Sequence, residues 1–319
     1  MQITIYSTIV SFLVALLLGP IVIPALRKFK FGQSIRDEGP RTHFAKAGTP
    51  TMGGLIFIIS LLLTSLVVSQ RITGALFIAL LTTVGFGFIG LLDDSIKIIK
   101  KRNLGLRAYQ KIIGQLTFAI ILTIYAYKNP LIGSGVHVPF TNIIFDLGIW
   151  YIPFMIFVIV GTTNAVNLTD GLDGLASSVT LIVSVFFAVV TYGLGKTDLS
   201  IFCGALAGGL LGFLKFNSYP AEVFMGDTGS LALGGAISAL AVLLKMPFII
   251  VIVGGIYVIE TLSVIIQVIS FKMTGRRVFK MAPLHHHFEQ KGNHETKIVA
   301  WFVIITAVLC LIGFLSISL

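Results

Sequence analysis

The chain has 319 residues, of which 56% are hydrophobic and only 11% charged, with a mean hydropathy of +0.98. A soluble domain carries roughly a quarter charged residues, so composition excludes a soluble globular protein and leaves no room for a separate soluble domain. The formal net charge of +10 would suit a nucleic-acid binder, but its distribution and the lack of the expected motifs argue against that partner.

Apolar runs near the ~20 residues needed to cross a hydrocarbon core recur along the whole chain. They predict an all-α integral membrane protein with about ten transmembrane helices, over 3–25, 51–69, 74–92, 112–127, 149–166, 175–193, 199–216, 230–246, 248–270 and 298–318. The first run has no basic flank ahead of it, and Gly19, Pro20 and Pro24 lead into a basic loop without a cleavage pattern. It therefore reads as a retained helix, not a signal peptide. In the loop 128–148, turn signals at Gly133 and Gly135 and β-branched residues predict a short outer hairpin at 136–145, with His137 as a surface residue. Cys203 and Cys310 fall in apolar runs and read as small buried hydrophobes, with no disulfide or zinc site implied.

Of the 23 Lys and Arg, all but Arg71, Lys128, Lys196 and Lys245 fall in one set of alternate loops. That excess marks the cytoplasmic face and puts both termini on the outer face, and it attracts anionic lipid headgroups. The expected organisation is one polytopic membrane domain, 1–319, with catalytic cytoplasmic loops at 27–50, 93–111, 164–176, 215–230 and 271–297. Most acids gather on the same face, although acids contribute little to topology. Asp146 and Asp198 are outside, and Glu260 alone lies within a helix.

Four polar stretches on that face combine small, acidic and amide residues. In "DDSIK" at 93–97, Asp93 and Lys97 are four apart and share a helix face, whereas Asp94 diverges by about 100°. In "NAVNLTDGLDGLA" at 164–176, Asn164, Asn167, Asp170 and Asp173 recur every three residues as a helical stripe, unless Gly171 and Gly174 break the helix and expose backbone N–H groups. Such a stripe faces a wet cavity or a partner helix; its "NLT" sequon lies on the cytoplasmic side and is a false match. In "FNSYPAEVFMGDTGS" at 216–230, Asp227 precedes a helix opened by Ser230. Asp, Thr and Ser there suit capping, the helix start suits a phosphate, and an acid beside it suits magnesium.

The fourth stretch, "PLHHHFE" at 283–289, holds three consecutive histidines, which cannot all aim at one metal from a helix. One or two of them suit a phosphate, a lysine or an acid; zinc lacks cysteine partners and ligand spacing. Arg276, Arg277 and Lys280 add anion affinity. "GFGFIG" at 85–90 fits a dinucleotide fingerprint but lies inside a membrane run with no preceding strand, so close helix packing by small residues explains it.

Taken in order, from "RTHFAKAGTPTMGGL" at 41–55 to "APLHHHFE" at 282–289, these segments resemble the polyprenyl-phosphate N-acetylhexosamine-1-phosphate transferase superfamily, and within it the phospho-N-acetylmuramoyl-pentapeptide-transferase family. "GTPTMGG" and "PLHHHFE" mark that branch; relatives using other UDP-sugars have a differently spaced histidine motif. The resemblance implies transfer of phospho-N-acetylmuramoyl-pentapeptide from UDP-MurNAc-pentapeptide to undecaprenyl phosphate. The products are lipid I and UMP, made on the cytoplasmic face of the bacterial inner membrane. It also implies Mg2+ as cofactor and a homodimer.

By motif position, the resemblance implies Asp227 as metal ligand and Asp93, Asp94 and Asp227 as catalytic residues. Lys46, Thr51, Lys97, Lys111, Asn164, Asn167, Asp170, Asp173, Asn217, Phe224, Gln267, His285, His286 and His287 would line the nucleotide and phosphate site. A phosphate monoester has a second pKa near 6 and needs little deprotonation at neutral pH, so Asp93 or Asp94 could act as a base, a positioning group or a metal ligand. The rival readings are a transporter, a UDP-N-acetylglucosamine transferase and a CDP-alcohol transferase. A transporter would show midplane charges and internal repeats, the histidine motif argues against the sugar-nucleotide relative, and "DGLDGLA" lacks the Arg and spaced acids of the third.

Overall fold

Every apolar run identified above is helical in the computed structural model, which describes residues 1–28, 46, 48–100 and 104–317. Parts of the basic loops 27–50 and 93–111, and of the segment 41–55, lie outside the described residues. The element order is α1 (Gln2–Lys28), α2 (Gly54–Val68), α3 (Gly74–Ile99), α4 (Ala108–Lys128), β1 (Gly135–His137), β2 (Ile144–Asp146), α5 (Tyr151–Thr169), α6 (Leu175–Gly193) and α7 (Thr197–Asn217), followed by α8 (Gly226–Leu243), α9 (Ile249–Val253), α10 (Gly255–Thr274), α11 (Leu284–Glu289) and α12 (Glu295–Leu315). Among the described residues, eight helices are long and apolar enough to cross a membrane, and α2 is a shorter apolar helix. The 21-residue α4 is outside the eight because Gln110, Lys111, Gln115 and Lys128 dilute its apolar character.

Three boundaries differ from the sequence expectation in ways that matter for the site. Helix α3 runs on to Ile99, so Asp93, Asp94 and Lys97 all sit on its last turns. Helix α8 begins at Gly226, not Ser230, which puts Asp227 inside its first turn. The run 248–270 breaks at the Gly254–Gly255 pair into α9 and α10, and the histidine stretch forms a separate short helix, α11.

Small residues explain the close packing around α8, whose residues Thr228 to Leu243 are all buried. A Cβ at Gly90 of α3 would collide with the Asp227 carbonyl, and one at Gly87 would come within 3.2 Å of Ala232 Cβ. Gly85 faces the Phe118 ring of α4. The "GFGFIG" segment is thus a packing surface, as expected. Along α7, Gly204, Gly208 and Gly212 do the same against Ser7, Thr8 and Ala15 of α1, the small-residue contact that lets membrane helices approach. Buried hydroxyls in this apolar setting bond back to their own helices: Ser60, Thr82, Thr83, Thr163 and Thr306 each donate to the carbonyl four residues earlier.

Contacts define two ends of the bundle. At one, β1 and β2 pair antiparallel with Val136 opposite Phe145, the predicted hairpin. The hairpin is tied down where the His137 N–H meets the Lys245 carbonyl at 2.7 Å and the Phe140 N–H meets the Ser316 carbonyl at 2.9 Å. At the other end meet the C-termini of α3, α5 and α7 and the starts of α4, α6, α8 and α12, because Asp93 bonds Leu106, Asn167 bonds Asp227, and Asp173 bonds both Lys46 and Ala221. All four polar stretches emerge at that second end or lean toward it.

Candidate active site

Helix α8 starts without a side-chain cap of its own, leaving N–H groups that need acceptors. Asp94 supplies them from α3. Its Oδ2 accepts from the Thr228 N–H at 2.9 Å and the Thr228 hydroxyl at 2.8 Å, and its Oδ1 accepts from the Asp227 N–H at 3.3 Å. A carboxylate is favoured at this position by the positive end of the helix dipole as well. Gly226, at φ +72°, is fixed both by backbone conformation and by space, since a Cβ would lie 2.6 Å from Asp94 Oδ2 and from Thr51 Oγ1.

With Asp94 acting as the cap, Asp227 turns outward to a different set of partners. Its Oδ2 lies 2.8 Å from Lys97 Nζ and 3.0 Å from Lys111 Nζ, and its Oδ1 accepts from Asn167 Nδ2 at 2.8 Å. Lys97 Nζ is also 2.6 Å from Asp93 Oδ2 and 3.5 Å from Asp94 Oδ1. Asp93 is steadied by the Leu106 N–H, 2.8 Å from its Oδ1.

Oxygens of Asp93, Asp94 and Asp227 lie within 4.8 Å of one another. Three carboxylate oxygens at that spacing fit a divalent cation, which takes oxygen ligands. The Lys97 ammonium lies against all three acids, and Lys111 against Asp227, so two lysines face three carboxyl groups.

A second constellation lies beside the first. Lys46 Nζ is 2.7 Å from Asp173 Oδ1 and 2.7 Å from Glu295 Oε2, and Asp173 Oδ2 accepts from the Ala221 N–H at 3.0 Å. Burial pulls the Lys46 ammonium down, but the hydrogen bonds and charges of Asp173 and Glu295 outweigh it and raise it. Lys46 is therefore a fixed positive charge throughout the physiological range.

Residues 76–245 match the model of glycosyl transferase family 4, and residues 46–58 match phospho-N-acetylmuramoyl-pentapeptide-transferase signature 1. Proteins of that second name from Clostridium novyi and Clostridium kluyveri are 61% and 58% identical to this chain. The alignments run over 316 and 312 residues, covering 99% and 98% of this chain and 97% and 98% of the relatives. A relative of the same name from Clostridium perfringens is 59% identical over 310 residues, 97% of each chain. The chain belongs to the phospho-N-acetylmuramoyl-pentapeptide-transferase family.

Of the residues implicated by sequence in this family member, Asp93, Asp94, Lys97, Lys111, Asn167 and Asp227 are in direct contact, and Lys46 and Asp173 form the adjoining pair. The expected stripe is helical only for Asn164 and Asn167. Helix α5 ends at Thr169, and Gly174 (φ +74°) opens α6, so Asp170 and Asp173 stand on the turn between them. Asn164 exchanges hydrogen bonds with Gln115 of α4 at 2.8 and 3.3 Å and donates to the Val160 carbonyl, which is the helix-linking alternative for that residue. Buried Asn217 joins the Ser177 hydroxyl to the Val223 carbonyl.

Phe224 pairs by its backbone with Pro50 and Gly53, leaving its ring half-buried. Gln267 holds the backbone of Val278 and Phe279. The three histidines take three different environments. His285 is fully buried, His286 Nδ1 meets Glu289 Oε2 at 2.7 Å, and His287 Nδ1 accepts the Lys280 N–H at 3.1 Å. Partial burial, then Lys291 and Lys280, lower the His287 imidazole.

Sequence reasoning did not assign Glu295, Gln115, Ser230 or Thr228 to the site. Glu295 was legible in principle, as an acid opening an apolar helix on the face where the others gather. The remaining three are ordinary polar residues whose roles exist only through contacts distant in sequence.

Asp170 gives a pH dependence. Burial, followed by the charges of Asp227, Asp94 and Asp173, pushes its carboxyl up to about 8. That exceeds the unfolded value of about 3.9, so its contribution to stability is complete below the unfolded value and lost as pH rises through about 8. In magnesium-free buffer, infrared titration is expected to show a protonated carboxyl band that persists at pH 7, fades around pH 8 and is missing in Asp170→Asn. The two neighbouring aspartates separate by stability. Asp94→Asn leaves a donor of the α8 start facing an amide N–H and should cost about 1–3 kcal/mol. Asp93→Asn keeps the Leu106 bond and leaves Lys97 paired with Asp227 and Asp94, so its cost should be the smaller of the two. Thermal unfolding of the two variants in detergent measures the difference.

Proposed function

We propose that the cluster of Asp93, Asp94, Lys97, Lys111, Asn167 and Asp227 is the site at which undecaprenyl phosphate receives phospho-N-acetylmuramoyl-pentapeptide from its UDP carrier. The family assignment carries the reaction itself: transfer of phospho-MurNAc-pentapeptide to a polyprenyl phosphate in peptidoglycan synthesis. The observation that carries the site is two lysines converging on one Asp227 oxygen, at the common end of α3, α4, α5 and α8. The reading also places the site on the cytoplasmic face of the bacterial inner membrane, with both termini outside, the whole chain as one membrane unit, and the protein as a homodimer. The excess of Lys and Arg in the loops of that face supports the orientation.

In the reaction, an oxygen of the lipid phosphate attacks the phosphorus that carries the sugar, the bond from that phosphorus to the UMP oxygen breaks, and UMP leaves with the electron pair. Lys97 and Lys111 offset the charge that grows on the phosphate oxygens, in a site where neighbouring apolar helices lower the dielectric. Asp227, with Asp93 and Asp94 beside it, would hold magnesium, whose contribution when bound is to neutralise pyrophosphate charge. Asp94 is committed to the start of α8, so Asp93 is the freer of the pair to meet the incoming phosphate. Lys46 between Asp173 and Glu295, together with Thr51, Asn164, Asp170, Asn217, Phe224, Gln267 and the histidines of α11, lines or supports the nucleotide and phosphate site.

Purified protein supplied with undecaprenyl phosphate, magnesium and UDP-MurNAc-pentapeptide is expected to release UMP, and to release none when UDP-N-acetylglucosamine replaces the donor. Lys97→Met should lower kcat by about 10²–10³-fold. Absence of UMP release from the first donor would overturn the reading.

A further inference from the structure

Glu260 is an acid wholly buried in a membrane-spanning helix, in the second turn of α10, and nothing in the reaction above uses it. An ionisable group at such a depth is expensive unless its oxygens are satisfied, and it tends to be there for function. Both oxygens are engaged by the same short element. Oε2 accepts from the Leu284 N–H at 2.6 Å and Oε1 accepts from the His285 N–H at 3.2 Å. These are the first two residues of α11. The His285 ring follows its backbone inward. Its Nδ1 lies 3.1 Å from Glu260 Oε1, at an angle too oblique for a hydrogen bond.

The far side of that ring abuts Gly171, where an added Cβ would collide with His285 Nε2. Gly171 belongs to the turn that presents Asp170 and Asp173. His285 is therefore wedged between a carboxylate of α10 and the acidic turn, and it stacks edge-on against His286 with ring centres 4.2 Å apart. The opposite flank of α11 is pinned by Phe288, whose ring packs on Trp301 and Phe302 of α12.

We propose that Glu260 is a positioning residue. It anchors the start of α11 and, through His285, sets the height of His286 and His287 relative to the Asp170–Asp173 turn. Its role in the reaction rests on the placement of those histidines at the phosphate-transfer site. Glutamine at 260 keeps the shape but turns an amide N–H toward one of the two backbone donors, so α11 loses half of its anchor while the packing volume stays.

The full-length protein in detergent tests this by hydrogen–deuterium exchange over residues 284–290 together with steady-state kinetics. In Glu260→Gln, exchange in 284–290 is expected to rise while α3 and α8 stay protected. The value of kcat should fall by up to about 10²-fold, as expected when a catalytic group is displaced by about 1 Å, with a much smaller change in KM. Gly171→Ala, which presses on His285 from the other side, should reproduce this pattern. The double variant should cost less than the product of the two single effects, because both act through one ring. Unchanged exchange in 284–290, or multiplicative effects in the double variant, would overturn the proposal. Raised exchange with unchanged kcat would uphold the anchor and overturn instead the placement of the histidines at the reaction site.

Discussion

The arrangement depends on one interaction, the acceptance by Asp94 of the N–H groups that open α8. Helix α8 is sheathed by α2, α3 and α5, and the buried Thr228 N–H of its first turn needs an acceptor from the protein. A carboxylate delivered from α3 meets that need and locks the two helices in register at the point where Gly90 allows their backbones to touch. Asp227 is thereby relieved of capping its own helix, and its oxygens are free for Lys97, Lys111 and Asn167.

The acids and lysines of this end stabilise one another only as a set. Removing one partner from a desolvated ion cluster leaves an uncompensated charge, which is more damaging than the net worth of the pair. The same grouping of three carboxyl groups within 4.8 Å suits a divalent cation, which takes oxygen ligands. Asp170 feels both burial and the negative charge nearby, since its burial and then Asp227, Asp94 and Asp173 push its carboxyl up to about 8. Lys46 shows the converse, an ammonium kept charged by Asp173 and Glu295 despite its burial.

Much of this was legible in the sequence, for identifiable reasons. Hydropathy located every long helix because crossing a hydrocarbon core imposes a fixed length, and the hairpin followed from Gly133 and Gly135. The spacing of Asp93 and Lys97 correctly put them on one face, and the divergence of Asp94 is the reason it reaches α8. The start of α8 was misplaced by four residues because "GDTGS" carries several capping residues, and sequence cannot tell that the cap comes from another helix. The stripe through Asn164, Asn167, Asp170 and Asp173 was half right, since Gly171 and Gly174 take the chain out of helix after Thr169. The tie from Glu260 to Leu284 and His285 could not be read at all, because it depends on α11 folding back along α10.

In the proposed reaction Asp227, released from capping, is the functional carboxylate of the cluster. Electron paramagnetic resonance with manganese(II), a spectroscopically visible substitute for magnesium, tests it on the purified chain. The wild-type protein and Glu222→Gln, which alters an exposed acid away from the cluster, should both remove the free-ion signal, whereas Asp227→Asn should leave it. Manganese binding undiminished in Asp227→Asn would rule out that role for Asp227.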